Sequence, residues 1–193
     1  MTLVCLLEEP SAEEMLKAIL PKVLDEKINV KYIVFKGKQD LENNVIRKIK
    51  NWQTPDSCFL IMRDKDSGDC IRIKNDIKEK VKQTGKSDCT CIRIACHELE
   101  SFYLGDLKAV CSGLGVAIKA GQESRKYRQP DTLANAAEEL IKITGKKYSK
   151  LRGSRSIAPY LKLDGSNKSH SFNVLLDGVK KIITTKIQSA GQI

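Results

Sequence analysis

The chain holds no apolar run near the roughly 18–20 residues that a membrane-crossing helix needs, which excludes an α-helical span. Aromatics make up only 5% of its 193 residues, with a single Trp, so stacking platforms for unpaired bases are sparse. It has two histidines, His97 and His170, and neither completes a zinc-binding spacing with the cysteines. No G-x-x-x-x-G-K-S/T segment is present, so nucleotide hydrolysis of the P-loop kind would need a partner. No basic start leads into an apolar core, because Glu8 and Glu9 come too early for a secretory signal.

Cysteine, by contrast, occurs seven times, an odd number. Cys5, Cys58, Cys89 and Cys91 fall in strand-like runs, which reads as free thiols in a reduced, cytoplasmic protein. Apolar residues at 41% supply an ordinary core. The formal net charge of +10 is unevenly placed: residues 119–193 hold 15 Lys or Arg against 6 Asp or Glu. The positive excess therefore follows residues 1–118, and a basic field there attracts and steers a polyanion. A solvated basic surface or a face for an acidic protein is the alternative.

Short apolar runs at 3–7, 30–35, 58–63 and 88–95 alternate with helical patterns. Met15, Leu16, Ile19 and Leu20 share one helical face, as do Leu41, Val45, Ile46 and Ile49, and then Ile73, Ile77 and Val81. Ser11 and Glu14 have capping-box spacing. Short helices are expected over 98–104 and 107–114, and longer ones over 131–144 and 171–187. Residues 121–130 read as a polar, basic exposed loop, and residues 145–155 as a second basic polar segment. This alternation predicts an α/β fold with a mainly parallel sheet covered by helices on both faces. The expected division is an α/β core over 1–118 and a basic, mostly helical C-terminal extension over 119–193, packed on the core.

The strand ends carry the chemistry. Glu9 closes the first apolar run, and Asp64-Lys65-Asp66 closes the third. In a parallel sheet those positions meet at the carboxyl edge, where α/β proteins bind ligands. Asp64 and Asp66 point the same way if the strand runs on between them. Three such carboxylates suit Mg2+ or Mn2+ and phosphate chemistry. Glu9 is a ligand or the base that activates water. Glu98 and Glu100 follow the fourth run and are either further metal ligands or first-turn acids favoured by the helix dipole. A D-x-D alone is also what a solvated turn after a strand looks like.

The order of these pieces resembles the Toprim domain shared by topoisomerases, bacterial primases and OLD-type nucleases. That domain has a glutamate after its first strand, in an E-G-x-x-D setting, and a later D-x-D. Here the first motif reads Glu9-Pro10-Ser11-Ala12-Glu13, with Pro10 in place of the glycine and Glu13 in place of the aspartate. A closer resemblance is to the RloB-like group of small Toprim proteins, known as DUF4276. It is carried by Glu8 to Glu13, Asp64-Lys65-Asp66, Glu98 to Leu104 and Asn167 to Phe172. His97 stands where that group has a proline.

The resemblance implies a Toprim-like fold and metal-dependent cleavage of phosphodiester bonds in DNA or RNA. Glu9, Asp64 and Asp66 would be catalytic, with Glu98 and Glu100 also near metal. It further implies the effector subunit of a phage-defence pair, beside an ATPase of the ABC or AAA kind. A non-catalytic regulatory or adaptor subunit is the alternative, and another α/β enzyme of phosphate chemistry the third. Lys147, Lys150, Arg152 and Arg155 form the densest basic segment, suited to a phosphate backbone or to docking the ATPase. Asn167, Ser169 and Ser171 precede the last helix, where free N–H groups bind phosphate or where a serine is merely the cap. Homo-oligomerisation is left open.

Overall fold

The computed structural model describes residues 1–190; the final three residues of the extension expected over 119–193 lie outside the described residues. Four strands form one sheet: β1 (Thr2–Leu7), β2 (Asn29–Val34), β3 (Ser57–Asp64) and β4 (Thr90–Ala95). All neighbours are parallel, in the order β2-β1-β3-β4. The helices are α1 (Pro10–Val23), α2 (Lys38–Lys50), α3 (Cys70–Lys82), α4 (Glu100–Leu104), α5 (Leu107–Leu114), α6 (Ala136–Ile143), α7 (Lys150–Ile157) and α8 (His170–Ala190). A parallel sheet flanked by helices, with a helical C-terminal part, is the expected fold and is consistent with a Toprim-like architecture.

Strand alternation sorts the core into two layers. Leu3, Cys5, Leu7, Cys58, Leu60 and Met62 face one side with α1, α5 and α8. Val4, Leu6, Phe59, Ile61 and Ile92 face the other, against Leu41, Val45 and Ile49 of α2 and Ile77 and Val81 of α3. β1 and β3 are buried along their whole length, which is why they read as unbroken apolar runs. The chain winds outward from β1 to β2, then crosses back to β3 and on to β4. Strand order therefore reverses between β1 and β3, the place where parallel α/β sheets commonly bind ligands beyond the carboxyl ends of the strands.

Residues beyond 118 share the first layer: Tyr127, Ala136, Leu140, Tyr148, Ile157, Phe172, Leu175, Leu176, Val179 and Ile183 are buried in it. α7 lies against α1 and α5, and α8 against β4 and β3. α5 meets the α7 backbone closely at Gly113, where a methyl group would collide with the Ser156 carbonyl and sit 2.7 Å from the Ile157 Cα. Gly113→Ala is expected to lower stability by about 1–3 kcal/mol through overpacking, seen as a lower midpoint in urea with an unchanged slope.

Local expectations shift in four places. The 131–144 helix is a 3-10 turn at Pro130–Thr132 followed by α6. The second basic segment, for which no helix is expected, contains α7. The capping box does not form: Glu9 is the α1 N-cap, Ser11 Oγ donates to the Glu9 carboxylate, and Glu14 takes Arg155 Nε at 2.6 Å. The last helix starts at His170 and runs to Ala190. Among the described residues no helix is long and apolar enough to cross a membrane.

Candidate active site at the carboxyl edge of the sheet

Three carboxylates from three elements converge at this switch point. Glu9 is fixed by the β1–α1 junction, where its backbone stays extended and Pro10 starts the helix. Asp64 is the last residue of β3 and is 8% exposed. Glu100 opens α4 and is fully buried. Burial holds the Asp64 carboxyl well above the usual carboxylate range, and the negative charges of Glu9, Glu100 and Glu8 push it further; a hydrogen bond from the Leu99 N–H opposes them. Burial also raises Glu100, against the pull of the Lys150 ammonium and the Tyr148 hydroxyl.

Glu100 Oε1 accepts the Tyr148 hydroxyl at 2.8 Å. Its Oε2 is buried and has no hydrogen-bond partner among the described residues. Lys150, at the start of α7, donates to Glu9 Oε2 at 3.2 Å. Burial lowers the Lys150 pKa, but Glu100, Glu9 and Asp64 outweigh it and lift the ammonium above its ordinary value. Tyr103 lies fully buried beneath, with its hydroxyl on Ser154 Oγ at 2.7 Å. The site is thus an acidic cluster closed by one lysine from the C-terminal third.

Asp66 stands apart from this cluster. β3 ends at Asp64, and Asp66 takes a left-handed backbone with φ 54°, so the two aspartates do not continue one strand. Its carboxylate pairs with Lys38 at 3.1 Å and lies 3.8 Å from Arg63 Nη2. Arg63 also pairs with Glu42, and Glu8 Oε2 accepts the Asp64 N–H at 3.1 Å. Asp66 and Glu8 therefore belong to an adjoining ion-pair network on the α2 side. Glu98 is not drawn in either: its Oε2 accepts the Ala137 N–H at 2.8 Å and caps α6.

The expected phosphate-binding turn is filled from within. Asn167 Oδ1 accepts the Ser169 N–H, and Asn167 Nδ2 donates to the Phe102 carbonyl. Ser169 Oγ donates to Asp131 and accepts the Phe172 N–H, while the Ser171 N–H bonds Asp131 Oδ2 at 2.7 Å. Asp131 is thus the anion at the α8 N-terminus. Of the basic segment, Lys147 and Arg152 are exposed, Arg155 is engaged by Glu14, and Lys150 belongs to the acidic cluster. Sequence reasoning missed Tyr148 and the carboxylate pairing of Lys150. Neither carries a local signal, since their partners lie 48 and 141 residues away.

Among the described residues no group of three or more His, Cys, Asp or Glu side chains is arranged to hold a metal ion. The donor chemistry nevertheless fits a hard divalent cation: carboxylate oxygens, one of them buried without a partner, in a cluster whose negative charge helps to raise the Asp64 and Glu100 carboxyls. In the protein as it stands, Lys150 supplies the compensating charge.

A parallel α/β sheet with acidic residues at its switch point is consistent with a Toprim-like architecture. The chain belongs to the family described as Domain of unknown function (DUF4276), which matches residues 7–180. Comparison with curated proteins and with solved structures returned no match.

Proposed function

We propose that this chain is a metal-dependent nuclease that cleaves phosphodiester bonds in DNA or RNA. It would act as the effector of a phage-defence pair with an ABC- or AAA-type ATPase. The observation that carries the reading is the convergence of Glu9, Asp64 and Glu100 at the switch point, with a raised Asp64 pKa and an unpartnered Glu100 oxygen. Glu9, Asp64 and Glu100 would hold Mg2+ or Mn2+, with Asp66 at the rim; Glu98 is committed to α6. Bound there, the ion would polarise a phosphoryl oxygen and lower the pKa of a water. Around it, Tyr148 orients Glu100, Glu8 fixes the Asp64 backbone, and Lys150 offers its ammonium to a phosphate oxygen. The exposed Lys147 and Arg152, which line one cavity with Ser149 and Gly153, suit the phosphate backbone.

The test is calorimetric titration with Mn2+ beside cleavage of mixed DNA and RNA substrates, with and without the partner ATPase. Wild type is compared with Glu9→Gln and Glu100→Gln. Metal binding and metal-dependent cleavage that both fall by about 10²-fold or more in the variants are expected. Folded wild type that binds no Mn2+ and cuts nothing in any mixture sinks the reading. One observation favours a second reading, a non-catalytic adaptor: Lys150 already neutralises the cluster without any metal. Absence of Mn2+ binding together with intact ATPase association is its signature.

A further inference from the structure

A second feature lies on the opposite edge of the molecule from the β2 side. β4 is an edge strand, paired only with β3. Every other peptide along its outer side turns its N–H and C=O away from the sheet. A groove of about 500 Å³ follows that side, with α3 as one wall and α8 as the other. Its floor is apolar: Val81, Cys91, Ile92 and Ile182. Its walls are cationic, with Lys74 and Lys78 from α3, Lys181 from α8 and Arg93 from β4, against a single acid, Asp88. Among the described residues, Lys74, Lys78 and Lys181 make no ion pair.

Two details mark the groove as built for a strand. Arg93 guards the edge: its Nη1 donates to the Ile92 carbonyl and its Nε to the Val174 carbonyl, both at 2.9 Å. The guanidinium lies over Gly178, where any side chain would collide with it. Ser87 Oγ, at the far end of the groove, is buried without a hydrogen-bond partner.

We propose that this groove takes an extended, acidic segment of a partner protein, which adds to β4 as a fifth strand. Main-chain pairing to the outer face of β4 supplies affinity, as in other strand-addition complexes. Side chains of an added strand alternate between the two walls, so its carboxylates meet the cations of one wall while its apolar side chains cover the apolar residues at the other. An incoming carboxylate is a stronger, charge-assisted partner for Arg93 than a carbonyl, and so frees the Ile92 carbonyl for the ladder. A second copy of this chain is the wrong occupant, because pairing two β4 edges sets four cations against four. The inference is independent of the nuclease reading.

The test is fluorescence anisotropy at low salt with a labelled octapeptide alternating Glu and Val. Comparison probes are its Lys/Val counterpart, the Glu/Val peptide N-methylated at alternate residues, and a labelled single-stranded oligonucleotide. Saturable binding of the Glu/Val peptide is expected, with at least tenfold loss on N-methylation and no binding of the Lys/Val peptide. Lys78→Glu with Lys181→Glu is expected to lose tenfold or more, while its thermal melt and Mn2+ response stay those of wild type. No saturation by the Glu/Val peptide at millimolar concentration overturns the proposal. So does unchanged binding of the N-methylated peptide. Oligonucleotide binding lost in the double variant without any peptide binding assigns the groove to nucleic acid. A dimer in sedimentation that the double variant abolishes assigns it to self-association.

Discussion

Asp64→Asn is expected to abolish metal-dependent cleavage and, in the same protein, to raise the melting temperature. Burial and the charges of Glu9, Glu100 and Glu8 place the Asp64 carboxyl above its ordinary value of 3.8. Between the unfolded and folded pKa values, the folded chain binds more protons than the unfolded one. Its stability therefore falls as pH rises through that window, and above the folded pKa the penalty is complete. An amide cannot ionise, so the penalty disappears. Each kcal/mol relieved moves the midpoint by about 2–4 °C for a chain of this size. The gain should be present at pH 8 and vanish below about pH 4, where both forms are neutral. Cleavage in Mg2+ should fall by about 10²–10³-fold or more. Calorimetric melts of wild type and variant from pH 4 to 8 check the first part. A variant that melts lower than wild type at pH 8 removes the charge-crowding account of the site.

Lys150→Met should move stability the other way. The ammonium stands against Glu9 and is held charged by Glu100, Glu9 and Asp64. Without it the three carboxylates repel one another with no compensation. The variant should melt below wild type at pH 8 in EDTA, and the gap should narrow as pH falls and the raised Asp64 and Glu100 carboxyls take up protons. Mn2+ should restore the loss, binding roughly tenfold tighter than to wild type because a competing positive charge has gone. Cleavage should nonetheless drop by about 10²-fold, since the phosphate loses a cationic contact. Titration calorimetry separates the two effects. Weaker Mn2+ binding in Lys150→Met would mean that the lysine organises the ligands instead of replacing their counter-ion.

The layers of the fold were legible because each is written in local periodicity. β1 and β3 are unbroken apolar runs, and α1, α2 and α3 carry an apolar stripe. Glu9 and Asp64 were legible for a related reason: a carboxylate that closes a buried parallel strand has little choice of edge. Asp66 was misplaced because spacing alone cannot foretell a left-handed residue two positions later. Glu98 and Glu100 looked alike in sequence, yet one caps α6 and the other is buried in the site. The choice depends on α6, far along the chain. α7 escaped notice because its buried face is made of Gly153, Ser154 and Ile157, too small and polar to form a stripe. The turn at 167–171 was read as a free helix start, whereas Asp131 fills it from a separate segment.

That distribution of parts sets an order of events during synthesis. β1, α1 and the sheet leave the ribosome before α8, with one face of β3 and β4 still wet. That face is covered only when Phe172, Leu175, Val179 and Ile183 of α8 have followed. Lys150 and Tyr148 likewise arrive after all three carboxylates they serve. A growing chain therefore carries these acidic residues, until residues 148–150 have followed, without the cation and the hydroxyl that arrange them.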